Sequence, residues 1–261
     1  MSGLFHRIRD DISDVLAFGP RFLWRYAPLV TGASAATVKL PGVGPVCLRV
    51  AQSDIEVVRQ VFRRGEYDIG VAPAVRARMQ QRYCEIVEGG RIPTIVDAGA
   101  NIGIATLWFK QRFPAAHVVA LEPEPGNVAI LRKNVGNVPG VVVLDNPIGA
   151  VAGFAEVKSG DLGWAATTQR AETGRPIVTM TEAFGKVPNG TPFIAKIDIE
   201  GFESDLFAAN VEWLQAVFAV FIEPHDWMLP GAATSRNFQR VMGNSNFEIF
   251  INGENLLYVR A

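Results

Sequence analysis

The stretch Thr94-Ile95-Val96-Asp97-Ala98-Gly99-Ala100-Asn101-Ile102-Gly103 constrains the fold more than any other part of the chain. Three β-branched residues run into an acid, a turn of small residues follows, and from Ile104 to Arg112 the pattern becomes helical. That order predicts a buried parallel strand, a tight turn and a helix whose free N–H groups face a ligand. Gly99 and Gly103 carry no Cβ and take positive φ readily, so backbone and ligand can approach closely there. The turn departs from the G-x-G-x-x-G dinucleotide fingerprint, because Asn101 stands where the second glycine would be. A pyrophosphate wants that glycine; a ligand without phosphate does not.

Asp97 closes the strand at its carboxyl end, the edge on which open α/β sheets bind ligands. A carboxylate there repels phosphate and suits an ammonium or sulfonium group. The next strand, His117 to Leu121, runs into Glu122, placed to take two hydrogen bonds from the hydroxyls of an unphosphorylated ribose. A ribose, a positive centre and no phosphate together describe S-adenosylmethionine (SAM). The competing reading is an ordinary strand-turn-helix with a chance acid.

A chain of 261 residues accommodates one large domain or a domain with a cap, and either buries a sizeable core. Hydrophobic residues make up 49% and charged residues 20%, the balance of a globular rather than a disordered chain. A formal net charge of -1 gives no reason to expect a nucleic-acid partner. Cys47 and Cys84 lie far apart without metal-ligand spacing, which fits a reducing compartment and no structural zinc. The apolar run Ala216 to Ile222 is too short to span a bilayer. Arg7, Arg9, Asp10 and Asp11 interrupt the region where a signal peptide would need its apolar centre. A cytoplasmic protein is expected.

Residues 1–91 read as an amino-terminal cap and residues 92–261 as the ligand-binding domain. The aromatic stretch Phe18 to Tyr26, with Arg21 and Arg25, is read as a cap helix in preference to a membrane-surface or partner-docking helix. Pro20 and Pro28 prevent a single long helix. Val38 to Val50 predicts a hairpin around Pro41-Gly42-Val43-Gly44-Pro45. Ser53-Asp54 offers a cap for a helix with Ile55, Val58, Val61 and Phe62 on one face, and a second helix covers about 74–88. From Ile92, strands at 117–122, 141–144, 193–199 and 217–222 alternate with helices at 125–135 and 203–214. A short antiparallel excursion is expected near 154–157, and the chain closes with helix 234–242 and strands 247–251 and 256–259. The alternation predicts an α/β, doubly wound, mostly parallel sheet ending in an antiparallel hairpin.

Parallel strands share one carboxyl edge, so the fourth and fifth strands deliver their ends beside Asp97 and Glu122. The fourth brings Lys196-Ile197-Asp198-Ile199-Glu200-Gly201, whose Asp198 and Glu200 would point to one side of an extended strand. The fifth brings Glu223-Pro224-His225-Asp226. Methyl transfer is an in-line displacement that mainly needs alignment, while a hydroxyl acceptor also needs a base. His225 is the favoured base because imidazole titrates near neutrality, with Asp198 or Glu200 orienting the acceptor or taking its proton. Glu203 is read as a first-turn acid complementing its helix dipole. Two carboxylates and a histidine raise the question of a metal, but their spacing matches no ligand signature, and none is expected. Trp164 would stack on adenine or acceptor, or cover the sheet.

With these residues in view, the chain resembles the FkbM-type family of SAM-dependent methyltransferases between about Ser53 and His225. The resemblance rests on Ser53-Asp54 through Glu66-Tyr67, the turn from Asp97 to Gly103, Glu122-Pro123, the segment Lys196 to Gly201 and Glu223-Pro224-His225. It implies a seven-stranded, Rossmann-like methyltransferase sheet with an amino-terminal extension. It also implies transfer to a hydroxyl of a sugar, glycolipid or polyketide-like metabolite, with S-adenosylhomocysteine as product. Carried over, Asp97, Gly99, Asn101 and Gly103 would hold the methionine part of the donor and Glu122 its ribose. Asp145 or Asn146 would lie near the adenine, Tyr67 would close over the donor, and Asp198, Glu200 and His225 would line the acceptor side. A homo-oligomer is compatible with this reading. Two other classes remain: a nicotinamide-dependent oxidoreductase, disfavoured by Asn101 and Asp97, and a non-catalytic SAM-binding or partner-docking module.

Overall fold

The computed structural model describes residues 2–50, 52–68, 72–158, 167–228 and 230–261. Helix α1 (Ser2–Phe18) ends where Gly19 and Pro20 cannot continue it, and a 3-10 turn (Pro20–Tyr26) and short helix α2 (Pro28–Thr31) follow. Strands β1 (Ala35–Leu40) and β2 (Gly44–Arg49) form the expected hairpin, whose alternation buries Val38, Leu40, Val46 and Leu48. Helix α3 (Asp54–Val58) passes into a π-turn (Arg59–Arg63), and α4 (Pro73–Glu88) leads to the main sheet. Ser53 makes no side-chain cap. The buried Asp54 instead turns back to accept the backbone N–H of Arg49 at 2.7 Å and to pair with its guanidinium.

The main domain then runs β3 (Ile92–Ala98), α5 (Ile104–Arg112), β4 (His117–Leu121), α6 (Pro125–Val135) and β5 (Val141–Leu144). Three short strands, β6 (Phe154–Lys158), β7 (Thr167–Ala171) and β8 (Arg175–Pro176), make a separate antiparallel sheet at the expected excursion. Next come α7 (Met180–Phe184), β9 (Gly190–Ile197), α8 (Glu203–Leu206) and β10 (Ala219–Ile222). Helix α9 (Arg236–Gly243) and strands β11 (Phe247–Asn252) and β12 (Asn255–Arg260) close the chain.

The seven-stranded sheet has the order β11-β12-β10-β9-β3-β4-β5. Its strands from β10 to β5 are parallel, and β12 enters antiparallel between β10 and β11. This is the α/β, doubly wound architecture expected from the alternation. Neighbouring residues of β3 serve opposite cores: Ile95 belongs to the core that holds Phe109 and Phe221, Val96 to the one that holds Phe184, Leu206 and Phe238. A strand covered on both faces has to be apolar throughout. The chain proceeds from β3 toward β5 in one direction and returns through β9 and β10 in the other, so the crevice opens at the β3/β9 switch point.

Three local departures bear on the site. β9 stops at Ile197, so Asp198, Ile199 and Glu200 form a turn rather than more strand, and Glu200 sits at φ 53. The helix expected at 203–214 ends at Leu206. Asn210, at φ 52, leaves the helical region and donates its amide to Ala150 O at 2.9 Å. Helix α7, absent from the sequence reading, begins with a capping box between Thr179 and Glu182. Trp164 lies outside the described residues. No helix among the described residues is long and apolar enough to cross a membrane.

Candidate active site

The β3–α5 turn is built by departures into the left-handed region at alternate residues, Gly99 (φ 79), Asn101 (φ 49) and Gly103 (φ 89). The two glycines are needed for different reasons. A Cβ on Gly99 would lie 1.7 Å from the carbonyl oxygen of Asp198, so this glycine lets the β9 end close against the turn. A Cβ on Gly103 would meet Leu131 at 2.7 Å and Val135 at 2.9 Å, so that glycine seats α5 on α6.

Glu122 accepts the backbone N–H of Asn101 at 2.8 Å on one oxygen and that of Glu124 at 2.9 Å on the other, with the Asn127 amide 3.4 Å away. Burial raises its pKa, and the two backbone donors work against that rise. A cavity beside it is lined by Gly99, Asn101, Glu122, Asn127, Asn146 and Phe202, among others, with no lysine, arginine or histidine in the described lining. No cationic side chain of that described lining would neutralise a phosphate. Asn146 reaches this cavity, its amide donating to Pro176 O at 2.9 Å. Asp145 turns away from it toward Arg175 at 3.3 Å and Arg132 at 3.8 Å.

Asp97 opens onto neither this cavity nor its neighbour. Its carboxylate is fully buried, accepts the Thr106 hydroxyl at 2.6 Å and faces the Lys196 ammonium at 3.3 Å. That ammonium also donates to Gly99 O at 2.6 Å and lies 3.3 Å from Asp198. Burial works against the charge on Lys196, but the Asp198 and Asp97 carboxylates outweigh it and raise its pKa. Asp97 therefore shapes the turn through Lys196 and Thr106 rather than presenting a free charge.

A second cavity, of about 340 Å³ and within the ~300–1,000 Å³ span of small-molecule sites, adjoins the first. The two share Gly99, Asn101, Asp198 and Glu200. His225 is at its base, 2% exposed, with Nδ1 2.8 Å from Glu203 Oε1. A carboxylate only accepts, so Nδ1 carries the proton and Nε2 faces the cavity. Around Nε2 stand Asp198 at 3.5 Å, Glu200 at 3.8 Å and Glu223 at 3.8 Å. Burial disfavours the charged ring, but the Glu203 hydrogen bond and the Asp198 charge outweigh it and hold the pKa at about 9. Burial and the Asp198 charge push Glu200 up to about 7 and Glu223 up to about 8. Tyr67 lines the same cavity and packs against Trp108, Phe109 and Phe221; burial raises its pKa.

Asp198, Glu200 and His225 thus converge on one cavity, with Tyr67 at its wall and Glu122 and Asn146 on the other. Sequence reasoning missed the parts played by Lys196, Glu203 and Glu223. Its position makes Glu203 a first-turn dipole acid by sequence, yet α8 is only four residues long and the carboxylate binds His225 instead. Glu223 stands two residues before His225, the one signal that pointed to it.

Residues 97–242 match the model of the methyltransferase FkbM domain. Hexuronic acid methyltransferase AglP of Haloferax volcanii is 24% identical over 214 residues, 79% of this chain and 82% of that protein. Methyltransferase sdnD of Sordaria araneosa is 48% identical over only 42 residues, 16% of either chain. The match to methyltransferase 1 of Beauveria bassiana is 43% over 49 residues, 18% of this chain and 20% of that one. These two fungal matches therefore span a fifth or less of the relatives' own length. Among solved structures, a putative O-methyltransferase from Klebsiella pneumoniae aligns with a TM-score of 0.42 at 14% identity, over 92% of this chain and 99% of that one. The family match spans more than half of the chain and includes both halves of the crevice: this protein belongs to the FkbM methyltransferase family.

Proposed function

We propose that this protein transfers a methyl group from SAM to a hydroxyl of a small molecule, with a sugar or glycoside as the acceptor class. The observation that carries the proposal is the pair of adjoining cavities, one beside Glu122 and one over His225, joined at Gly99, Asn101, Asp198 and Glu200. The first suits SAM: its lining offers a buried carboxylate and asparagines for a nucleoside and, among the described residues, no cation for a phosphate. Glu122 would hold the ribose and Asn146 would lie near the adenine. Gly99 and Asn101 would carry the methionine part, with Asp97 and Gly103 supporting them from behind the turn. Tyr67 lines the second cavity, so it would wall the acceptor side rather than cover the donor. When bound, SAM supplies an electrophilic methyl on a sulfonium. The similarity to a hexuronic acid methyltransferase favours a sugar as the acceptor.

The acceptor hydroxyl forms the new O–CH3 bond as the C–S bond breaks, and its proton must go to a neighbouring group. Glu200, at about 7, and Glu223, at about 8, titrate where a base working near neutrality should. His225, held at about 9, is protonated at neutral pH without a further cation and orients the carboxylates instead.

The test is calorimetric titration with S-adenosylhomocysteine and with NAD, followed by Glu122→Ala. Hydrogen bonds to a charged group contribute about 1.5–3 kcal/mol, so the variant should bind S-adenosylhomocysteine about 10–100-fold more weakly. Binding of NAD in its place would overturn the donor assignment. Methylation of uronic acids or glycosides, followed by mass, then tests the acceptor.

A further inference from the structure

We propose that the cluster at the ends of β9 and β10 is a divalent-cation site, with Asp198, Glu200 and Nε2 of His225 as ligands. One ligand atom from each lies within 4.8 Å of the others. Two ligands on one small divalent ion, bound at about 2.1 Å, stand about 3.0 Å apart when adjacent and about 4.2 Å apart when opposite. The separations of 3.5 Å and 3.8 Å from Nε2 fall inside that interval and are too long for good hydrogen bonds, and the set as a whole, within 4.8 Å, needs at most a small closure around an ion. A proton shared between Nε2 and one carboxylate would draw that pair together. Here the carboxylates surround Nε2 and stand back from it.

The histidine is the independent observation. It is 2% exposed, Glu203 fixes its proton on Nδ1, and Nε2 makes no hydrogen bond among the described residues. This carboxylate–imidazole pairing orients metal-bound histidines in general. Glu203 is itself 1% exposed and also accepts the backbone N–H of Ile199, so the ring cannot swing away. Lys196 offsets only part of the cluster's charge, because its ammonium is divided between Asp97 and Asp198 and tied to Gly99 O. Carboxylates with one imidazole form a donor set suited to Mn²⁺ or Mg²⁺ rather than to a thiolate-loving ion. Spacing along the chain argues against a metal here, because the ligands come from a turn and from a strand end about 25 residues later; only the fold brings them together.

The role of the cation rests on the methyl-transfer reading, although its binding does not. A coordinated hydroxyl loses its proton more easily. That proton passes to Glu223, the oxygen lone pair forms the O–CH3 bond, and the C–S electron pair remains on sulfur. The cation would also let a cavity ringed by carboxylates receive an anionic sugar such as a uronate.

The experiment is titration of the EDTA-treated full-length protein with Mn²⁺ by calorimetry and electron paramagnetic resonance, without acceptor. One Mn²⁺ per chain is expected, competed by Mg²⁺, with a histidine nitrogen coupling in the pulsed spectrum. His225→Ala and Asp198→Asn should abolish that binding. Glu203→Ala, which frees the ring, should weaken it about 10–100-fold, and Glu203→Gln should restore much of the loss. Glu56→Gln, a charge on the same cavity's wall but paired with Arg59, should change nothing. No Mn²⁺ uptake, or uptake that survives His225→Ala and Asp198→Asn, overturns the proposal. S-adenosylhomocysteine binding measured in EDTA reports separately on the methyl-donor assignment.

Discussion

Two clusters of charge among the described residues are balanced in opposite ways. In the amino-terminal cluster, the fully buried Asp14 meets Arg59 at 2.7 Å, Arg63 at 2.8 Å and Arg25 at 3.2 Å. Asp10, Asp11 and Glu56 complete it, with Arg64 beside Glu56, so that four acids face four arginines. In the crevice, Asp198, Glu200, Glu203 and Glu223 surround a single imidazole, and Lys196 is divided between Asp198 and Asp97. Charges that only hold elements together are paired off. Charges left in excess around a cavity raise the pKa values of their own carboxylates and keep a place for a proton, a cation or a substrate.

The largest expected effect lies in the paired cluster. Asp14→Ala leaves three arginines without their shared carboxylate, and removing one partner of a buried ion pair costs about 3–5 kcal/mol. Urea denaturation should show that loss while ligand affinity at the crevice stays unchanged. A loss near zero would remove the distinction between the clusters.

A smaller effect separates them by pH. In the crevice, Glu200 and Glu223 titrate at about 7 and about 8 against an ordinary glutamate value of 4.5. Between those values the folded chain holds protons that the unfolded chain has released. Their stabilisation is therefore complete below about 4.5 and is lost as pH rises through about 7 to 8. In the paired cluster, Asp10 is held below its ordinary value by its hydrogen bond to Arg63, so its contribution is lost only on acidification below about 4. Melting temperatures in EDTA at constant ionic strength should fall from about pH 5 to pH 8, and Glu223→Gln should flatten that slope. An unchanged slope in the variant would remove Glu223 from the account.

The smallest effect belongs to Ser53→Ala. The serine makes no side-chain cap, so stability should change by no more than about 0.5 kcal/mol, against the ~1 kcal/mol typical of a working cap. A loss of cap size would show that the helix start follows the sequence pattern after all.

Much of the fold was legible because its signals are local. The helix at 104–112 and the strands at 117–121 and 141–144 occupy the residues their patterns indicated. The 203–214 helix was overestimated because the left-handed turn at Asn210, fastened to Ala150, is not encoded in apolar spacing. The candidate site was half legible. Glu122, Asn101 and Gly99 follow from strand-end position alone, whereas the partnership of Glu203 with His225 joins residues 22 apart whose types suggest several other roles.

By itself, the sequence determined the alternation of strand and helix, the carboxyl edge on which the acids gather, and the glycine that lets the turn close. These follow from side-chain period and backbone freedom, which act over a few residues. Only the tertiary structure decided which acids are spent and which are left over. Asp97, the most conspicuous acid in the sequence, is consumed by Lys196 and Thr106, while Asp198 and Glu200 reach His225 from a turn rather than from a strand. Charge balance depends on distance in space and on burial, and neither is a property of neighbouring residues along the chain.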